Sequence, residues 1–318
     1  MIPAPLVFLF PGQGSHAVGM GADLLRSDEW VRNQIRQVSA EIGEDLERIC
    51  LKGPERTLMR AAVVQPLLTI IGLGYARKLA DAGLTPDLVA GHSLGEIPAL
   101  AVAGALSPEQ AVRVAARRGS FMDQAAARAP GGMAAVFLAL AEVESLIGQV
   151  GMADCIFVAN DNAPAQVVVS GAAEPLAEFL HLIQAVRPGC CKPLRVSGPW
   201  HTPLLEAARA QFQDWLAAIP FAHPRIPLIA NATARPEPDP DRLREYAATQ
   251  LTYPVHWRET MAELRARHAR ALLEIGPGRV LAGLARLNGF GNETIVRGID
   301  SLRAASQMVA DCPNELGT

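Results

Sequence analysis

The run Asp87-Leu-Val-Ala90, then Gly91-His92-Ser93-Leu94-Gly95, then Glu96 to Ala105 narrows the folds open to this chain more than any other segment. A short apolar strand enters a G-x-S-x-G turn and a helix leaves it, which places a serine at the apex of a tight strand-to-helix elbow. Side chains two residues before and after such a serine would collide, so glycine is needed at both 91 and 95. The turn lifts the Ser93 hydroxyl clear of the sheet. It also sets the Leu94 N–H at a helix N-terminus, where it can face a developing oxyanion. Pro98 suits a first helical turn, where its missing N–H does no harm.

The rest of the chain alternates strand and helix patterns. Residues 5–10 read as a buried strand closed by Pro11-Gly12-Gln13-Gly14-Ser15. Residues 21–50 and 56–82 are helical in pattern, and Ser107-Pro108-Glu109-Gln110 is a capping box opening a helix that runs to about Arg128. After Pro130-Gly-Gly132 the texture changes. Strands at 133–138, 155–160, 166–170 and 192–196 and helices at 141–148 and 174–186 follow in the order β-α-β-β-α-β, with a turn expected over 161–165. Residues 129–196 therefore read as a ferredoxin-like insert. Residues 1–128 and 197–318 then share an α/β core with a mostly parallel sheet covered on both faces. In its second part strands are expected at 226–230 and 271–275, helices at 207–216, 241–250, 257–267 and 280–287, and a frayed last dozen residues.

Composition excludes several functions. Of 318 residues, 50% are hydrophobic and 19% charged, enough apolar material for a large core. The net charge of −3 comes with no basic block, so no nucleic-acid partner is expected. No stretch has the length and apolarity of a membrane span, and the apolar residues 5–10 lack the basic segment of a signal peptide. Five cysteines at no metal-type spacing read as reduced thiols of a cytoplasmic protein, and the histidines form no zinc pattern with them.

A serine hydroxyl needs a base. Of the seven histidines, His92 should diverge from the Ser93 hydroxyl at such a turn. His201 lies in Val196-Ser-Gly-Pro-Trp-His-Thr-Pro203, a loop stiffened by its prolines, and is the first candidate; His16 and His256 are its rivals. No acidic residue stands out as the third member of a triad. The Gln13 N–H, at the end of the first strand, can supply a second oxyanion donor beside that of Leu94. Neither G-x-G-x-x-G nor Gly-Lys-Ser/Thr is present, which argues against a nucleotide loop.

Taken together, Phe10-Pro-Gly-Gln-Gly-Ser15, Gln65-Pro66, Gly91-His-Ser-Leu-Gly-Glu96, Arg118-Gly119 with Met122, Asn160 with Asn162, and Gln166-Val-Val-Val-Ser-Gly171 form an ordered set. Trp200-His201-Thr202-Pro203, Asn231 with Thr233, Gln250-Leu251 before Pro254-Val-His-Trp257, and Glu274-Ile-Gly-Pro-Gly278 complete it. The set resembles the malonyl-CoA:acyl carrier protein transacylases and the acyltransferase domains of fatty-acid and polyketide synthases, over almost the whole chain. The resemblance implies an α/β-hydrolase-like core with a ferredoxin-like insert and a site between them. It implies Ser93 as acyl carrier, His201 as base, the Gln250 carbonyl orienting the imidazole in place of a carboxylate, and the Gln13 and Leu94 amides as oxyanion hole. It further implies that Arg118 pairs with the free carboxylate of a malonyl group and that Asn160 lines the cleft. By pattern alone Arg118 reads as one more solvated residue beside Arg113 and Arg117; the Arg-Gly-x-x-Met context reverses that.

Two positions depart from the family. Trp200 stands where malonyl-selective members usually have phenylalanine, which should crowd the pocket against α-branched acyl groups. Glu96-Ile97-Pro98 replaces the commoner Glu-Tyr-x. The implied reaction is ping-pong transfer of malonyl from malonyl-CoA to the phosphopantetheine thiol of acyl carrier protein, with no metal and no bound cofactor. The alternatives are a hydrolase that clears acyl groups from carrier proteins, the malonyl-transfer subunit of a malonate decarboxylase, and a non-catalytic carrier-docking protein.

Overall fold

A computed structural model describes residues 4–311 of the 318-residue chain. The strands are β1 (Leu6–Phe10), β2 (Leu88–Gly91), β3 (Gly131–Val136), β4 (Ile156–Ala163), β5 (Gln166–Ala172), β6 (Cys191–Pro193), β7 (Leu228–Ile229), β8 (Ala271–Ile275) and β9 (Ile295–Ile299). Five form a parallel sheet in the order β7-β2-β1-β8-β9. β1 is buried along its whole length, with Phe8 and Phe10 in the core on one face and Val7 and Leu9 in a second core on the other. This is how a central parallel strand covered on both sides reads: an unbroken apolar run rather than an alternation.

β3, β4, β5 and β6 form the second sheet, antiparallel, in the order β4-β5-β3-β6. With helices Leu140–Gln149 and Ala173–Val186 it makes a β-α-β-β-α-β ferredoxin-like subdomain around its own core of Val136, Val167, Val169 and Phe179.

Helix packing carries the site. Helix Ala61–Asp81 is buried on nearly all sides and packs along helix Pro108–Arg128. At Gly119 a Cβ would lie 2.2 Å from the Ala61 carbonyl oxygen, so the two helices meet this closely only because the residue is glycine. Asp123 accepts from the N–H groups of Ala61 and Ala62 and so caps the neighbouring helix, whose own N-cap Arg60 offers no side-chain bond. Glu274 on β8 does the same for helix Val280–Leu287 through the N–H groups of Leu281 and Ala282. The expected capping box is present: Ser107 Oγ accepts from Gln110 N and Gln110 Oε1 from Ser107 N.

Several expected bounds move. The turn placed at 161–165 is only Pro164-Ala165, because β4 runs on to Ala163. The three polar residues 160–162 imitate a turn in sequence, yet all are buried; Asp161 meets Arg258 at 2.7 Å and Asn162 meets His92 at 2.8 Å. The strand expected over 192–196 pairs only through Cys191–Pro193, and that over 226–230 only through Leu228–Ile229. β9 and helix Leu302–Ala310 add to the elements expected from the sequence. β9 pairs residue by residue with β8, and Ser301 caps the helix by accepting from Ala304 N. Of the last dozen residues, expected to fray, those up to Ala310 continue this helix; 312–318 lie outside the described residues.

Ser107→Ala removes the cap of the helix that carries Arg118 and is expected to cost ~1 kcal/mol of stability, read as a lowered midpoint in urea unfolding.

Candidate active site

The elbow is built by close approach. A Cβ on Gly91 would stand 2.0 Å from the Gly95 carbonyl group, and one on Gly95 would stand 1.9 Å from the Phe10 carbonyl oxygen. Both glycines are required, the second by the carboxyl end of β1 rather than by the elbow itself. Between them Ser93 has φ 51°, a left-handed angle that non-glycine residues adopt at a cost. Asn231 holds it there: its Oδ1 accepts from Ser93 N at 2.8 Å and its Nδ2 donates to the Gly91 carbonyl at 2.5 Å. Gly12 completes the approach, since a Cβ there would lie 2.7 Å from the His92 carbonyl. The Gly12-Gln13-Gly14 loop thereby lies against the elbow, and Gln13 is tied down by its side chain, which donates to the Met59 carbonyl at 2.9 Å.

His201 also has a left-handed backbone, φ 61°, and its Nε2 lies 2.8 Å from Ser93 Oγ. Its Nδ1 faces two carbonyl oxygens, Gln250 at 2.8 Å and Tyr253 at 3.0 Å. Two acceptors at Nδ1 place the proton there and leave the Nε2 lone pair for the serine hydroxyl. Burial holds the imidazole pKa down to about 3, and the nearby Arg118 charge pushes the same way, so the ring is neutral at physiological pH. The rivals are elsewhere: His16 Nδ1 meets Gly14 N, and His256 lies 3.9 Å from Glu259. His92 turns away to Asn162 and sets its ring edge against Trp257, centroids 5.2 Å apart.

Arg118 is only 1% exposed, so it is not the solvated residue its helix pattern suggests. Nη1 donates to Gln65 Oε1 at 3.0 Å, Nη2 to Gln250 Oε1 at 2.8 Å, and Nη2 lies 3.4 Å from Ser93 Oγ. Burial lowers its pKa to about 10, opposed by the Glu96 carboxylate, and it stays cationic at neutral pH. Its neighbours in the Arg-Gly-x-x-Met pattern now have reasons. Gly119 lets the helix approach, and Met122 Sδ lies 3.2 Å from the same Gln65.

Ser93, His201 and Arg118 line a cavity of about 210 Å³ between the two sheets, together with Gln13, Asn160 and Trp200. Asn160 sits on β4 at a bulge beside Val255. Trp200 is buried, and its ring fills the space a side chain at 198 would need, with Gly198 as the accommodating residue. Leu94 is buried at the start of the turn behind the serine. The arrangement can draw a proton from Ser93 and hold a negative charge near Arg118. Among the described residues there is no group of three or more His, Cys, Asp or Glu side chains placed to hold a metal ion.

Residues 7–289 match the family model described as an acyl transferase domain. A malonyl CoA-acyl carrier protein transacylase of Synechocystis is 36% identical over 281 residues, covering 88% of this chain and 92% of that protein. The chain belongs to the malonyl-CoA:acyl carrier protein transacylase family. A polyketide-biosynthesis member from Bacillus velezensis is 34% identical over 292 residues, 91% of this chain and 98% of that protein. A solved type II polyketide-synthase complex of an acyl carrier protein with its malonyl-transacylase superposes with a TM-score of 0.89 at 30% identity, covering 97% of this chain and 100% of that one.

Sequence reasoning left several family marks without a task. Gln65, Asn231 and Glu96 carry no chemistry legible from their spacing, yet each has a bond to the site. The Tyr253 carbonyl was missed, because a backbone acceptor leaves no trace in residue type.

Gly95→Ala is expected to abolish labelling by a serine-directed fluorophosphonate and to lower stability by at least ~2 kcal/mol, whereas Gly283→Ala, with open space around its Cβ, should leave labelling intact.

Proposed function

We propose that Ser93 is the acyl carrier and His201 its base in transfer of malonyl from coenzyme A to acyl carrier protein. The observation that carries this is the 2.8 Å Ser93–His201 bond with a buried guanidinium 3.4 Å from the same hydroxyl. A serine–histidine pair alone fits any acyl transfer. A desolvated arginine with no acidic partner within ion-pair distance among the described residues selects an acyl group that brings its own carboxylate.

His201 takes the Ser93 proton as Oγ attacks the thioester carbonyl. The Gln13 and Leu94 amides are assigned to the tetrahedral oxyanion. The C–S bond then breaks, and the proton on His201 goes to the departing CoA sulfur. The phosphopantetheine thiol of the carrier repeats the sequence in reverse, losing its proton to His201 and taking malonyl from the serine. The Gln250 carbonyl, with that of Tyr253, keeps Nδ1 protonated throughout. Arg118 holds the free carboxylate in both halves. Asn160 and Trp200 are assigned to the walls around the acyl group and pantetheine arm, Trp200 disfavouring α-branched units.

Residues 129–196 are taken as the inserted unit and 1–128 with 197–318 as the catalytic core. Cytoplasmic residence is proposed from the free thiols of Cys50, Cys155, Cys190 and Cys191; no helix among the described residues is long and apolar enough to cross a membrane.

Ser93→Ala should yield no malonyl adduct by intact mass after incubation with malonyl-CoA; a stable adduct on this variant overturns the assignment. Arg118→Ala should lower kcat/KM for malonyl-CoA by about 10- to 100-fold, the range for a hydrogen bond to a charged group, and leave acetyl-CoA nearly unchanged. An equal loss on both acyl groups removes the clamp.

A further inference from the structure

Glu96 is 2% exposed and buried beside the site, yet it neither lines the cavity nor bonds Ser93. Its two oxygens receive two N–H donors: Oε1 that of the Asn231 backbone at 2.8 Å, Oε2 that of Gln250 Nε2 at 2.5 Å. Gln250 Nε2 also donates to the Ser93 carbonyl at 3.1 Å, while its Oε1 accepts from Arg118 Nη2. A side-chain amide has one donor end and one acceptor end. Here a carboxylate, which only accepts, stands on one side, and a guanidinium, which only donates, on the other. One orientation of the Gln250 amide satisfies both. The reverse orientation sets NH₂ against guanidinium and oxygen against carboxylate.

We infer that Glu96 is a positioning residue for acyl selection: it fixes the direction of the Gln250 amide, and through it the place of Arg118. The inference rests on Arg118 as the carboxylate clamp. Burial pushes the Glu96 pKa up to about 7, opposed by the Asn231 N–H and the Arg118 charge, yet both partners of its oxygens are donors, so the hydrogen-bonded form is the carboxylate. A glutamine at 96 has the same shape with one donor end. With its oxygen on the Asn231 N–H, that glutamine turns its NH₂ toward Gln250 Nε2, donor against donor, so the Gln250 amide is driven to reverse and Arg118 loses a fixed acceptor. Acetyl transfer makes no demand on the guanidinium and should be insensitive.

The test is acyl transfer from malonyl-CoA and acetyl-CoA by Glu96→Gln, Gln250→Met, the double variant and Arg118→Ala. Gln250→Met keeps the backbone carbonyl on His201 and deletes only the amide. Glu96→Gln should raise KM for malonyl-CoA about tenfold, with kcat and acetyl transfer changing less than about threefold. Gln250→Met should lower the malonyl-to-acetyl ratio by a similar factor, and Glu96→Gln should lower that ratio no further on top of it, since both act on one contact. Equal losses on both acyl groups, or losses that multiply in the double variant, overturn the inference. If Glu96→Gln does not fold, Gln250→Met decides alone: an unchanged malonyl-to-acetyl ratio overturns the route through the amide. A collapsed ratio in Arg118→Ala with intact ratios in the other variants sinks the role of Glu96 only. An intact ratio in Arg118→Ala sinks the clamp and, with it, this inference.

Discussion

The left-handed backbone at Ser93 is the constraint from which the rest of the site follows. A serine held at φ 51° is strained, and the surrounding structure keeps it there by over-determination. Gly91 and Gly95 leave room for the backbone to close on itself and on the Phe10 carbonyl at the end of β1, and Asn231 ties the Ser93 N–H and the Gly91 carbonyl to one side chain. The same contacts bring the carboxyl ends of β1 and β2 together, so the Gly12-Gln13-Gly14 loop and the serine share one rim of the sheet, where open α/β sheets place their sites.

From that rim the site extends through one residue. Gln250 offers its backbone carbonyl to His201, its amide oxygen to Arg118, and its amide N–H to Glu96 and the Ser93 carbonyl. The proposed base, the proposed clamp and the elbow are thus held by a single position just past the end of helix Pro240–Thr249. Gln250, His201, Arg118 and Glu96 are all buried, and in a low-dielectric interior a half-satisfied network is costly, so its members specify one another. The ferredoxin-like subdomain is tied to the core by polar contacts of the same kind: His92 to Asn162, Asp161 to Arg258, and the Asn288 side chain to the Asn162 carbonyl. The cavity between them has a wall from each.

The architecture was legible because its signals are local. The elbow, the capping box at Ser107 and the unbroken apolar run of β1 each announce themselves within a few residues. What escaped was set by tertiary contact. Residues 160–162 look like a turn because they are polar, and only their buried partners reveal a strand. β9 carries an exposed arginine in its middle and depends on pairing with β8. Among site residues, Ser93 stood out by its glycines, whereas Arg118 read by helix pattern alone as a surface residue; its burial is visible only where Gly119 lets two helices touch. Glu96 and Asn231 hold the site through bonds spanning more than a hundred positions, which no spacing in the sequence encodes.

The most direct test of the central claim is a two-stage intact-mass measurement on the unaltered protein. It is incubated with an equimolar mixture of malonyl-CoA and acetyl-CoA, then chased with phosphopantetheinylated acyl carrier protein. A single malonyl adduct, mapped to Ser93 by peptide sequencing and passed to the carrier in the chase, is the predicted result. An adduct at another residue, equal acetyl and malonyl loading, or release of free malonate in place of transfer contradicts it.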